Sequence, residues 1–133
     1  MVSFLSVIVS AIVGMVIGSL WYSVLFGKLW MQLSGITPKQ MTEAKKKSMG
    51  KSYALCFVGL LLMSYVLGMF IQIVKASTLP GGAMIGFWLW LGFIATTQLN
   101  SVLWENKSWK LYWLSALHYL VMLLVMGAIL AAW

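Results

Sequence analysis

Hydrophobic and polar positions in this chain segregate into long blocks. Four stretches contain no Asp, Glu, Lys or Arg: residues 1–27, 52–74, 76–104 and 111–133. Each exceeds the roughly 20 residues that a helix rising 1.5 Å per residue needs to cross about 30 Å of hydrocarbon. The blocks show no period-two alternation, which argues against a transmembrane barrel. A helix is the other structure that satisfies its own backbone polar groups away from water. The pattern predicts an all-α integral membrane protein, a single domain over residues 1–133. Its four transmembrane helices are expected at about 2–26, 52–74, 82–104 and 111–133, with a longer polar connection over 28–51.

Composition leads to the same class by another route. Hydrophobic residues make up 62% of the chain, charged residues 8%, and mean hydropathy is +0.97. A soluble domain of this length leaves too much surface facing solvent to hide that apolar content, so lipid must solvate most of it.

Charge then assigns sides. Lys28, Lys39, Lys45, Lys46, Lys47 and Lys51 fall between the first and second spans, Lys107 and Lys110 between the third and fourth, and Lys75 alone between the second and third. This bias makes both lysine-rich loops cytoplasmic and puts the N- and C-termini outside. It also opposes insertion in both orientations. No basic segment precedes the first span, which reads as an uncleaved helix. The net charge of +7 is a topology signal, not a nucleic-acid footprint.

Within the connection, Thr37, Pro38 and Gln40 form a capping pattern that predicts a short amphipathic cytoplasmic helix to about Lys47. There Lys45, Lys46, Lys47 and Lys51 can reach anionic lipid headgroups, at about 1 kcal/mol per lysine. A solvated loop that only sets topology is the competing reading. Trp30, Trp104, Trp109 and Trp113 form an expected interfacial belt on the same side.

The chain also resembles itself. SVLFGKLW (23–30) recurs as SVLWENKSW (101–109), and YALCFVGLLLMSYVLG (53–68) aligns with YWLSALHYLVMLLVMG (112–127). Two repeated helical hairpins are expected, related by a pseudo-two-fold along the membrane normal because each contains an even number of spans. Ser6, Ser10, Gly14, Gly18 and Tyr22 form a ladder every four residues in the first span, the spacing that lets helices approach closely in lipid. The equivalent third-span ladder is Gly92, Thr96, Asn100 and Trp104. Helix packing is therefore assigned to Ser10, Gly14, Gly18 and Gly92.

Candidate chemistry is sparse. With one Cys (Cys56) and one His, the chain has no internal disulfide, no redox dithiol and no multi-His metal or bis-His haem set. No cofactor or metal is implied. His118 lies about 12 Å inside the fourth span, where Thr96, Asn100, Tyr22 or Tyr119 could partner it. An ionisable group at that depth is a functional candidate, although a neutral His bonded between helices is the plainer outcome. Glu105 ends the third span beside Lys107 and Lys110, either as a carboxylate paired to lysine or as a residue at the mouth of a cleft. No nucleophile with a base, carboxylate pair or phosphate loop appears, so the chain is not expected to be an enzyme.

GSLWYSVLFGKLW (18–30), GAMIGFWLWLGFIATT (82–97) and MGAILAAW (126–133) resemble the bacterial membrane protein family named domain of unknown function 1761. The resemblance spans nearly the whole chain and implies a four-span protein of the bacterial inner (cytoplasmic) membrane. It transfers no catalytic residue. Val24 stands where the family commonly has Pro, and His118-Tyr119 replaces a more usual Tyr-His order.

Three functions remain open. The first is a homo-oligomeric transporter or channel-like protein whose polar intramembrane cleft is lined by Tyr22, Thr96, Asn100, Ser101 and His118, with Glu105 at its mouth. The second is a non-catalytic scaffold or helical bundle that binds a partner or lipid. An enzyme acting on lipid or quinone is third. The expected partners are membrane lipids and further copies of the chain, without nucleic acid, and the sequence does not name a small-molecule substrate.

Overall fold

A computed structural model describes residues 3–35, 39–40 and 49–133. Four of its helices are long and apolar enough to cross a membrane: Phe4–Leu25, Gly50–Val74, Leu79–Leu103 and Trp109–Ala132. No strand occurs among the described residues. The amphipathic helix expected over 37–47 lies outside the described residues apart from Lys39 and Gln40, as do Lys45, Lys46 and Lys47. Lys51 is exposed at the start of the second span.

The first span comprises α1 (Phe4–Leu20), a π-helical turn (Trp21–Leu25) and α2 (Gly27–Ser34), which carries the helix beyond the apolar block. Ser3 caps α1 by accepting from the Ser6 N–H, and Gly35 ends α2 at φ 74°, a left-handed position that glycine tolerates without a Cβ clash. The second span is α3 (Met49–Val74). It closes with paired bonds, Ala76 N–H to Ile71 O and Lys75 N–H to Gln72 O, both at 3.1 Å, with Lys75 itself left-handed.

The third span is α4 (Leu79–Leu89), a second π-helical turn (Trp90–Ile94) and α5 (Ala95–Leu103). It begins three residues earlier than the sequence suggests. Thr78 accepts from the Gly81 N–H, and Pro80 sits in the first helical turn, where its missing N–H costs nothing. The fourth span is α6 (Trp109–Ala132), capped by Ser108, whose hydroxyl accepts from the Leu111 N–H at 3.1 Å.

α6 is the hub. Its buried residues include Tyr112, Leu114, Ala116 and His118. Positions two apart on a helix differ by about 200° in direction, so this series is buried on two opposite sides of the axis, while Trp113 and Leu117 on the side between them are exposed. By contrast, α1 buries Ser6, Val7, Ser10, Ala11 and Gly14, a single face. α6 packs broadly on α1 and α4 and also meets α3, whereas α3 and α4 meet only sparingly. A pseudo-two-fold would make the first-to-fourth and second-to-third contacts equivalent, and this asymmetry departs from that expectation.

Close backbone approach holds α4 against α6. A methyl on Gly82 would overlap the Gly127 carbonyl, and one on Gly86 would overlap the Leu123 carbonyl. In lipid such approach replaces the missing hydrophobic drive with van der Waals packing. Interhelical hydrogen bonds add to it: Trp21 Nε1–H to Leu114 O (3.1 Å), Trp90 Nε1–H to Ala116 O (2.7 Å), Tyr112 O–H to Ala95 O (2.8 Å) and Ser64 O–H to Val7 O (3.0 Å).

Candidate functional site

The two π turns share a construction. Each is closed by an N–H five residues on from a Trp carbonyl, Phe26 to Trp21 and Ala95 to Trp90. Each of those tryptophans also donates its indole N–H to an α6 carbonyl, at Leu114 and Ala116. π turns insert one residue into a helix and occur frequently at functional sites.

The inserted residue reorients the third span. Its buried series runs Gly82, Gly86, Trp90 and then Ala95, with steps of four, four and five. An uninterrupted helix would carry the face of Gly86 and Trp90 on through Thr97 and Ser101, with Asn100 beside them. The π turn adds about 100° of rotation, so Ala95, Leu99 and Val102 face the core instead. Gly92, expected on a packing face, is exposed, and a Cβ built there meets nothing within 4 Å. Thr96, Asn100 and Trp104 from the same ladder are exposed too. The third-span ladder therefore faces out of the four-span unit, while Ser10 and Gly14 are buried and Gly18 lies under His118.

The six expected cleft residues accordingly divide into two places. Tyr22 and His118 come together where the first π turn meets α6. His118 is 7% exposed. Its ring lies 5.0 Å from Tyr22, 4.9 Å from Tyr119 and 6.1 Å from Trp21 between centroids, and Nε2 would be 3.2 Å from a methyl on Gly18. Neither ring nitrogen has a hydrogen-bond partner among the described residues. Thr96, anticipated as one, donates its hydroxyl to Gly92 O at 2.8 Å. Asn100 lies on the exposed face. The Tyr22 ring also meets Trp30 at 5.5 Å.

The other four lie on the outward side of α5. A groove of about 390 Å³ is lined by Thr97, Gln98, Asn100, Ser101, Trp104 and Glu105. Ser101 donates to Gln98 O at 2.8 Å, and Thr97 donates to Phe93 O and Ile94 O. Glu105 is exposed and forms no ion pair among the described residues, although Lys107 and Lys110 follow closely. In the turn, Asn106 is left-handed at φ 56°, and the Lys107 N–H bonds Ser101 O at 2.9 Å.

Sequence reasoning missed Trp21 and Trp90. The motifs WYSVL and WLGFI carry no breaker that marks a π turn, and an indole donor in an apolar helix reads as packing. Among the described residues no group of His, Cys, Asp and Glu could hold a metal ion.

The family model described as protein of unknown function (DUF1761) matches residues 5–131. No curated protein and no solved structure matches the chain. The chain belongs to the DUF1761 family.

Proposed function

We propose that this DUF1761 protein is a non-catalytic membrane bundle that acts by binding within the membrane, through the polar face that its third span turns outward. One observation carries the reading. The π turn at Trp90–Ile94 moves Thr97, Asn100 and Ser101 off the face that packs on α6, while His118 is enclosed by rings and backbone. Polar side chains at a membrane-facing surface are costly unless something meets them. A cleft through one chain would instead need Asn100 and His118 to face each other. In this reading the protein sits in the bacterial inner membrane with its lysine-rich loops in the cytoplasm, where Lys45, Lys46, Lys47 and Lys51 rest on anionic headgroups.

The homo-oligomeric transporter or channel-like protein is the second reading. It is favoured by the open space at Gly92, which lets a second copy approach the same face and place the polar cleft between copies.

Thiol labelling in sealed vesicles tests both. In a Cys56→Ser background, single cysteines at Asn100, Ser101 and His118 are challenged with a membrane-impermeant reagent, with Leu117 as the lipid-facing control. The bundle reading expects His118 to be labelled no more than Leu117. Labelling that reaches His118 and spares Leu117 would mean a hydrated interior and sink it. Disulfide cross-links between copies at Thr96 would favour the second reading.

A further inference from the structure

The groove on α5 has a chemical bias that its residue names alone do not reveal. A hydroxyl owns one donor, and Thr97 and Ser101 both spend it on carbonyls of their own helix. What they present outward is lone pairs. A carboxylate has only acceptors, and Glu105 stands at the end of the same face with no lysine paired to it among the described residues. Gln98 and Asn100 each add an amide oxygen together with an NH2, and Trp104 adds an indole N–H. The lining thus offers both donors and acceptors, and its one charge, the Glu105 carboxylate, calls for a cation rather than an anion.

Depth narrows the cation's source. The third span has 25 residues, about 37 Å of helix against about 30 Å of hydrocarbon, so its last turn reaches the headgroup layer. Thr97 lies roughly 9 Å below Leu103, which puts the groove across the boundary between headgroups and acyl chains. Trp104, 80% exposed, stands beside it at the level where amphipathic rings settle. A ligand here arrives sideways, from the leaflet on the lysine-bearing side.

We infer that the groove binds the primary ammonium of an aminophospholipid of the phosphatidylethanolamine type, which rests on the reading above that this face meets a membrane component. The ammonium donates its N–H groups to Glu105 and to the amide and hydroxyl oxygens of the groove. The lipid's phosphate faces Lys107, exposed on the adjoining turn, and Lys110, exposed at the start of α6. Charge is matched at both ends of the headgroup, and the acyl chains run along the apolar surface of the third span.

Selective retention of lipid tests this. The full-length protein is reconstituted in vesicles of equal parts phosphatidylethanolamine, phosphatidylcholine and phosphatidylglycerol, extracted in mild detergent and weighed with its bound lipid by native mass spectrometry. Phosphatidylcholine carries the same phosphate with no N–H donor, and phosphatidylglycerol carries no cation. The expected result is retention of phosphatidylethanolamine over phosphatidylcholine by about fivefold, the scale of one charge-assisted hydrogen bond at a partly wet site. In Glu105→Gln that ratio falls to near one, while Lys75→Gln, in the other loop, leaves it unchanged. Equal retention of the two lipids, preference for phosphatidylglycerol, or a preference that survives Glu105→Gln each overturns the inference. Glu105 is exposed and has no ion pair among the described residues, so its variant keeps the fold, which helical circular dichroism checks. Labelling of a cysteine at position 118 would sink the dry bundle and leave the lipid ratio untouched, so the two readings fail separately.

Discussion

His118 sits against Gly18, Trp21, Tyr22 and Tyr119 with both ring nitrogens unpartnered among the described residues. A buried polar group in that state costs about 1–3 kcal/mol, and an apolar side chain of similar size removes the penalty. His118→Leu should therefore be as resistant to denaturation as the parent, or more so by up to about 1 kcal/mol, measured as thermal unfolding in detergent. A loss of several kcal/mol would mean that the imidazole has a partner in the membrane. Gly18→Ala should change stability by no more than about 1 kcal/mol, because its methyl would stand 3.2 Å from Nε2, a squeeze that the helix preference of alanine offsets. At this scale the sequence is informative about depth and poor about partners. Counting residues puts His118 near the middle of its helix, and Tyr22 and Tyr119 are its neighbours. Thr96 and Asn100 are not, because direction round a helix depends on every residue between them and the nearest fixed point.

That dependence becomes clear at the level of the element. The four long helices follow from the apolar blocks, since lipid leaves the backbone no other partner. The ladder Gly92, Thr96, Asn100 follows a strict spacing of four, and the extra residue at Trp90–Ile94 turns it outward. The caps are less legible: Thr78 and Pro80 start the third span at Leu79, three residues before the start at 82 that its sequence suggests. The glycines separate the two faces of the third span by experiment. Gly82→Ala should destabilise the protein by about 1–3 kcal/mol or more, because the new methyl meets the Gly127 carbonyl. Gly92→Ala should be neutral or slightly stabilising, since nothing lies within 4 Å and alanine restricts the unfolded chain. Thermal unfolding of the pair decides it, and equal losses would mean that the third span is turned the other way.

For the whole molecule, α6 is the span that meets each of the other three most consistently, with Trp113 and Leu117 on its open side. The internal resemblance that suggested two equivalent hairpins is consistent with the sequence blocks, yet matched residues meet different surroundings. Gly14 lies against Met122 and Met126, whereas its counterpart Gly92 meets nothing. Paired cysteines in a Cys56→Ser background expose the difference. Gly14→Cys with Met122→Cys should cross-link readily on oxidation, while the repeat-equivalent pair, Gly92→Cys with Met63→Cys, should not. Cross-linking of both pairs would restore the two-fold. Centrality has a further consequence in time. Of the four spans the hub is translated last, so Trp21 and Trp90 enter the bilayer before the Leu114 and Ala116 carbonyls that accept from them exist. Until then the nascent protein carries indole donors and bare glycine faces without a binding surface. A ribosome stalled before residue 109 would hold an insertion intermediate that membrane proteases and chaperones can distinguish from the finished protein.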